Sequence, residues 1–158
     1  MQYELKFYRN VQSEVCEMLY SNALYRGKLK SENCEHKKGD WVHGYFVVIK
    51  DGKRHIPCIY GYGEVDNHTV CRFTGFYDKD DNRIYEGDIL ESRYDEQHPE
   101  DVCYEQIMWV DYGWHIKQLP DSREEPMDCF KEFCSLCSKV VGNIYDNPEL
   151  LEGGGSDA

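Results

Sequence analysis

Trp41-Val42-His43-Gly44-Tyr45-Phe46-Val47-Val48-Ile49, then Lys50-Asp51-Gly52-Lys53, then Arg54-His55-Ile56-Pro57-Cys58-Ile59-Tyr60 is the stretch that sets the fold class. Both flanks are dense in β-branched and aromatic residues, which suit a pleated, half-buried surface. Asp-Gly between such runs is the signature of a tight hairpin, because both residues tolerate the positive φ of a type I′ turn. Pro57 has no N–H to give to a ladder, so the second strand is expected to be an edge or to end there.

Working outward, short strands and turns continue. Leu24-Tyr25-Arg26-Gly27-Lys28 reads as a strand before a polar loop. After the break at Gly61-Tyr62-Gly63 comes a short strand at Val70-Cys71-Arg72-Phe73. Asp80-Asp81-Asn82-Arg83 is turn chemistry. Ile84 to Leu90 leads into a strand reaching about Tyr94, and Asp95 to Asp101 is an acidic loop. Val102–Val110 and Trp114–Leu119 form two strands around a turn at Asp111-Tyr112-Gly113. From Asp121 to Pro126 the residues suit a helix start. An apolar stripe of Met127, Phe130, Phe133, Cys134 and Cys137 follows, expected to be buried against a last strand over Lys139–Tyr145. Residues 1–22 read as a short strand, with Tyr3, Leu5 and Phe7 alternating, then a helix over about 12–22. Gly153-Gly154-Gly155-Ser156 is a flexible tail.

The expected fold is therefore mainly β (α+β). A β-hairpin subdomain over 24–77 precedes a small SH3-like barrel over 78–151 with one short helix. Residues 1–23 form an extension and 152–158 a tail.

Composition narrows the class. The chain has 158 residues, 30% of them charged and 14% aromatic, including 13 Tyr. That aromatic content is far too high for a disordered chain. No run approaches the roughly 20 apolar residues of a membrane helix, and the first residues lack the apolar core of a signal peptide. The expectation is a cytosolic protein with no membrane partner. Net charge is −12, unevenly placed: residues 1–73 carry 11 bases and 9 acids, residues 74–158 carry 7 and 21. An acidic half repels phosphate, so nucleic-acid binding is disfavoured. The same field attracts a basic partner, although a soluble acidic surface needs no partner to explain it.

Eight cysteines are too sparse for a disulfide scaffold, and a cytosolic setting keeps thiols reduced. Only Cys134-Ser-Leu-Cys137 has metal-ligand spacing, and a structural zinc site wants a second such pair or spaced histidines. Cys34-Glu-His36 and His55-Ile-Pro-Cys58 are weak additions. The plain alternative is that Cys134 and Cys137 pack as small hydrophobes on one helix face. No metal or cofactor is expected.

Other patterns compete with bland explanations. Asp78, Asp80 and Asn82 imitate the start of a calcium loop, but Arg83 and Ile89 stand where that loop needs Gly and Glu, so the segment reads as a turn. Glu86 and Asp88 could hold a divalent cation or do acid–base work, which makes a metal-dependent hydrolase the enzymatic alternative. Carboxylates entering a strand more often satisfy backbone amides. Trp41, Tyr45, Tyr60 and Tyr62 are the candidate interaction residues; aromatics dominate both cores and interfaces.

Five phrases in order resemble the YopX family of phage and prophage proteins. They are Tyr25-Arg26-Gly27-Lys28, Trp41-Val42-His43-Gly44-Tyr45, Phe73 through Asp80, Ile84-Tyr85-Glu86-Gly87-Asp88-Ile89, and Val141 through Leu151. Asp81-Asn82 stands where the family usually has Asn-Gly, and His43 where an aromatic is usual. Residues 1–22 lie outside the resemblance. The resemblance implies a mostly β, SH3-like architecture in a phage or prophage setting, with no reaction and no catalytic residues to carry over. The function expected is a non-enzymatic accessory protein acting by macromolecular binding, as a homo-oligomer. The narrower alternative is an acidic nucleic-acid mimic that blocks a host defence protein.

Overall fold

The computed structural model describes residues 24–93, 97–98, 101–120 and 128–152. The expectations for residues 1–22, for Met127 and the helix start at 121–126, for most of the 95–101 loop and for the 153–156 tail lie outside the described residues. The chain divides between Val70 and Cys71 into two units. From sequence the division falls after residue 77. The strand Cys71–Tyr77 hairpins with Arg83–Tyr85, which carries it into the second unit.

In the first unit, β1 (Leu24–Lys28), β2 (Trp41–Asp51), β3 (Arg54–Ile59) and β4 (Gly63–Glu64) form an antiparallel run in the order β4-β3-β2-β1. The β2–β3 hairpin is the one expected, with its turn shifted by one residue. Asp51 pairs with Arg54, so Gly52 and Lys53 are the loop. Gly52 has φ +60°, whereas Lys53 stays at negative φ, which is the type II′ pattern with Gly at its first central position. Pro57 turns its backbone edge toward β4, where its carbonyl accepts the Val65 N–H at 2.9 Å. Its missing donor therefore takes nothing from the β2 ladder. Leu29, Val42, Ile59 and Val65 form the core here, with Tyr25 and Phe46 against it, their rings 5.5 Å apart.

The second unit holds the pair β5 (Cys71–Tyr77) and β6 (Arg83–Tyr85), and a five-stranded antiparallel sheet. The sheet contains β7 (Asp88–Ser92), β8 (Cys103–Val110), β9 (Gly113–Leu119), β10 (Asp128–Cys129) and β11 (Ser138–Asn143), in the order β10-β9-β8-β7-β11. β10 and β11 are its two ends, and no ladder joins them among the described residues, so the barrel expected for this half is an open sheet. The β8–β9 turn is Asp111-Tyr112, both at positive φ (46° and 63°), with Gly113 already in the strand. A tyrosine in this left-handed conformation costs about 1–2 kcal/mol. Ile84, Leu90, Ile107, Ile116 and Phe130 make the core, with Phe76 meeting Phe130 edge-on at 5.3 Å.

The expected helical stripe is corrected. Asp128 and Cys129 are extended and pair with β9, and the only α-helix among the described residues is α1 (Glu132–Leu136), five residues long. Phe130 enters the core from extended chain, and the helix that starts after it turns Phe133 and Leu136 outward, 64% and 63% exposed. Cys134, on its inner side, packs against the core.

One side chain closes the second unit. Asp78 is 3% exposed. Its Oδ1 accepts the N–H groups of Asp80 (2.9 Å) and Asn82 (2.8 Å), making the turn. Its Oδ2 accepts the N–H of Val140, 62 residues on, at 2.9 Å. Burial pushes this carboxyl up, and the hydrogen bonds from Val140, Asn82 and Asp80 outweigh it, holding it below the ordinary 3.8.

Two outcomes are expected from equilibrium unfolding. Phe130→Ala should cost about 3–5 kcal/mol, the range for a buried Phe, and Phe133→Ala less than about 1 kcal/mol; equal costs would overturn this packing. Asp78→Asn should cost about 1.5–3 kcal/mol at neutral pH, since it removes a charged acceptor. The lowered carboxyl contributes its full stability above its ordinary pKa and loses it as pH falls through the folded value. Acid should therefore narrow the gap between parent and variant, and a constant gap from pH 7 to strong acid would count against the ionised acceptor.

Candidate functional site

Four aromatic residues, Trp41, Tyr45, Tyr60 and Tyr62, all fall in the first unit. Trp41, His43 and Tyr45 alternate along β2 and so share one sheet face. The Tyr60 N–H donates to the Tyr45 carbonyl at 2.9 Å, continuing the β2–β3 ladder past Ile59. Tyr45 and Tyr60 are 50% and 49% exposed. Trp41 is half-buried and braced by two cations from β1: the Arg26 guanidinium carbon lies 4.6 Å and the Lys28 Nζ 5.3 Å from the ring centre. Lys28 faces Trp41 and Arg26 faces His43 in the register, which is why both reach it. Tyr62 sits apart, after β3, with its ring 5.3 Å from His36 and its carbonyl accepting from Asn33.

The structure separates the tasks of Glu86 and Asp88. Asp88 is fully buried, and its Oδ2 accepts the Tyr85 N–H at 2.8 Å. Glu86 is half-buried beside Arg72. Burial pushes its carboxyl up, and the Arg72 amide and guanidinium draw it partly back. The Arg72 guanidinium in turn lies 4.8 Å over Trp109, which meets Trp114 edge-on at 4.7 Å. Between the two carboxylates, Gly87 donates its N–H to the Ile107 carbonyl and accepts the Ile144 N–H at 3.0 Å. Gly87 has φ +78°, and a Cβ there would lie 3.2 Å from Ile144. Among the described residues no three His, Cys, Asp or Glu side chains gather as a metal site, Cys134 and Cys137 included.

One juxtaposition was invisible in the sequence. Cys129 on β10 pairs directly with His115 on β9, and its Sγ lies 3.8 Å from His115 Nε2. The other ring nitrogen, Nδ1, lies 3.1 Å from the Gly113 carbonyl. The signal was hidden because Cys129 falls where the pattern predicts a helix, and only cross-strand register brings it opposite His115.

Among the described residues no helix is long and apolar enough to cross a membrane. No curated protein matches the chain. A solved structure, that of protein EF1440 from Enterococcus faecalis, is similar at 19% identity and a TM-score of 0.43, covering 82% of this chain and 97% of that one. The family described as YopX protein matches residues 8–152, so most of the segment expected to lie outside the resemblance falls inside it, and the chain belongs to the YopX family.

Proposed function

We propose that the chain is a non-enzymatic, cytosolic accessory protein of phage or prophage origin that works by binding, and that it self-associates through the Tyr45 and Tyr60 face of the first unit. The phage setting rests on the family. The observation that carries the binding reading is the pair of half-exposed tyrosines facing each other at the end of the β2–β3 ladder, on the same sheet face as a tryptophan braced by Arg26 and Lys28. Tyr and Trp are enriched in interface cores, where charge is depleted. Charge favours this unit as the self-contact: residues 1–70 carry 10 bases and 9 acids, so two copies meet without repulsion. For the second unit the same proposal keeps an SH3-like strand arrangement in an open rather than closed sheet, supported by the register shift between Val140 and Gly142 in β11.

A second reading has its own support. Residues 71–158 carry 8 bases and 21 acids, a field that attracts a basic protein and would repel a copy of itself. A nucleic-acid mimic directed at a host defence protein is the form this takes.

Light scattering across a concentration series should find an oligomer for the parent. Tyr45→Glu with Tyr60→Glu should shift it to monomer, with single Tyr→Ser variants intermediate and all variants keeping the parent's melting behaviour. A monomeric parent, or an oligomer unmoved by the pair, overturns the self-association. For the mimic, immobilised protein should retain basic host proteins at low salt and release them at high salt; an empty low-salt eluate overturns it.

A further inference from the structure

Cys129 and His115 have the parts of an activated thiol. A thiol nucleophile needs a base within reach of its proton and a third group holding that base in the right tautomer. Here the Gly113 carbonyl at 3.1 Å from Nδ1 can only accept, which favours the neutral tautomer that carries its proton on Nδ1. Nε2 is then an acceptor, and it faces the Cys129 sulfur at 3.8 Å. Direct register pairing of Cys129 with His115 puts both side chains on the same face of the β9–β10 ladder, which holds the pair on strands rather than on a loop. Cys129 is exposed, so a small reagent can reach it. Cys58 and Cys71 are buried, and Cys103, Cys134 and Cys137 are half-buried. Cys34, the other exposed thiol among the described residues, lies in the polar loop after β1.

We propose that Cys129 is a thiol-modification site that takes low-molecular-weight disulfides, with His115 as its proton acceptor. In the exchange, the Cys129 S–H bond breaks and its proton passes to His115 Nε2. The sulfur attacks one sulfur of the small disulfide and forms a mixed disulfide. The old S–S bond breaks, and the departing thiolate takes the proton from His115 and leaves as a thiol. The Cys129 sulfur is oxidised and the departing sulfur reduced, so no further oxidant is needed. The adduct is carried on β10, the end strand of the second unit's sheet.

Cys34 is a control within the same molecule. The parent protein is treated with oxidised glutathione, and peptide mass spectrometry follows adduct formation at each cysteine with time. Cys129 should react faster than Cys34. His115→Gln should slow Cys129 by about tenfold, less than an enclosed general base delivers because this pair is open to water, and should leave the Cys34 rate unchanged. A Cys129 rate no greater than that of Cys34 in the parent overturns the proposal without any variant. A His115→Gln protein that melts like the parent and modifies Cys129 at the parent rate overturns the role of the imidazole. Slowing of both cysteines together would mark a change in the whole protein and would also overturn that role.

Discussion

The second unit depends on one carboxylate. Asp78 is buried in a chain whose second half is already crowded with negative charge, and a buried anion is tolerated only where donors converge on it. Here one oxygen gathers the amides of its own turn and the other takes the Val140 amide. The effect is to fasten the β5–β6 connection to β11. Beside it the Lys79 N–H donates to the Ser138 carbonyl, so the outer edge of β11 is occupied by this turn. An edge strand with open donors and acceptors is a template for aggregation, and the Asp78 turn covers this one from within the chain.

The phrases that identify the family meet one another in space. In the first unit, Tyr25 through Lys28 pairs residue for residue with Gly44 back to Trp41. In the second, Asp78 holds the strand leading to Gly142, and Gly87 at positive φ lies so near Ile144 that a Cβ would stand 3.2 Å from it. Asn143 then caps the following turn, its Oδ1 accepting from both Tyr145 and Asp146 at 3.0 Å. Glu86-Gly87-Asp88 looks in sequence like a pair of reactive carboxylates. In space it is a corner: Asp88 satisfies a backbone amide, Gly87 joins β8 to the last turn, and Glu86 faces Arg72.

Legibility followed the range of the interaction. The β2–β3 hairpin, the β8–β9 pair and the Asp78 turn rest on contacts a few residues apart, and alternation and turn chemistry reported them. Their errors were one-residue shifts, as at Gly52. The helix was misjudged because a 3.6-residue stripe is also satisfied when one member, Phe130, enters the core from an extended strand. A five-residue helix is too short to form on its own, so its limits were set by β10 pairing with β9 and by the packing of Phe130 and Cys134. Nothing in residues 127–137 states that pairing.

The candidate sites divide along the same line. Residue type alone made Trp41, Tyr45, Tyr60 and Tyr62 candidates, but it could not show that Tyr77 and Tyr112 are exposed as well. Which of the candidates share a face required the register that sets Tyr45 beside Tyr60 and Lys28 beside Trp41. The charge asymmetry then gives the two units different chemistry. A near-neutral sheet face bearing tyrosines can meet its own copy, because burial of aromatic area is not opposed by net repulsion. In an acidic unit net repulsion opposes such a contact, and its field favours partners of opposite sign. The two proposed readings therefore draw on different chemistry: self-contact on the tyrosine-bearing face of the first unit, attraction of a basic protein on the charge of the second.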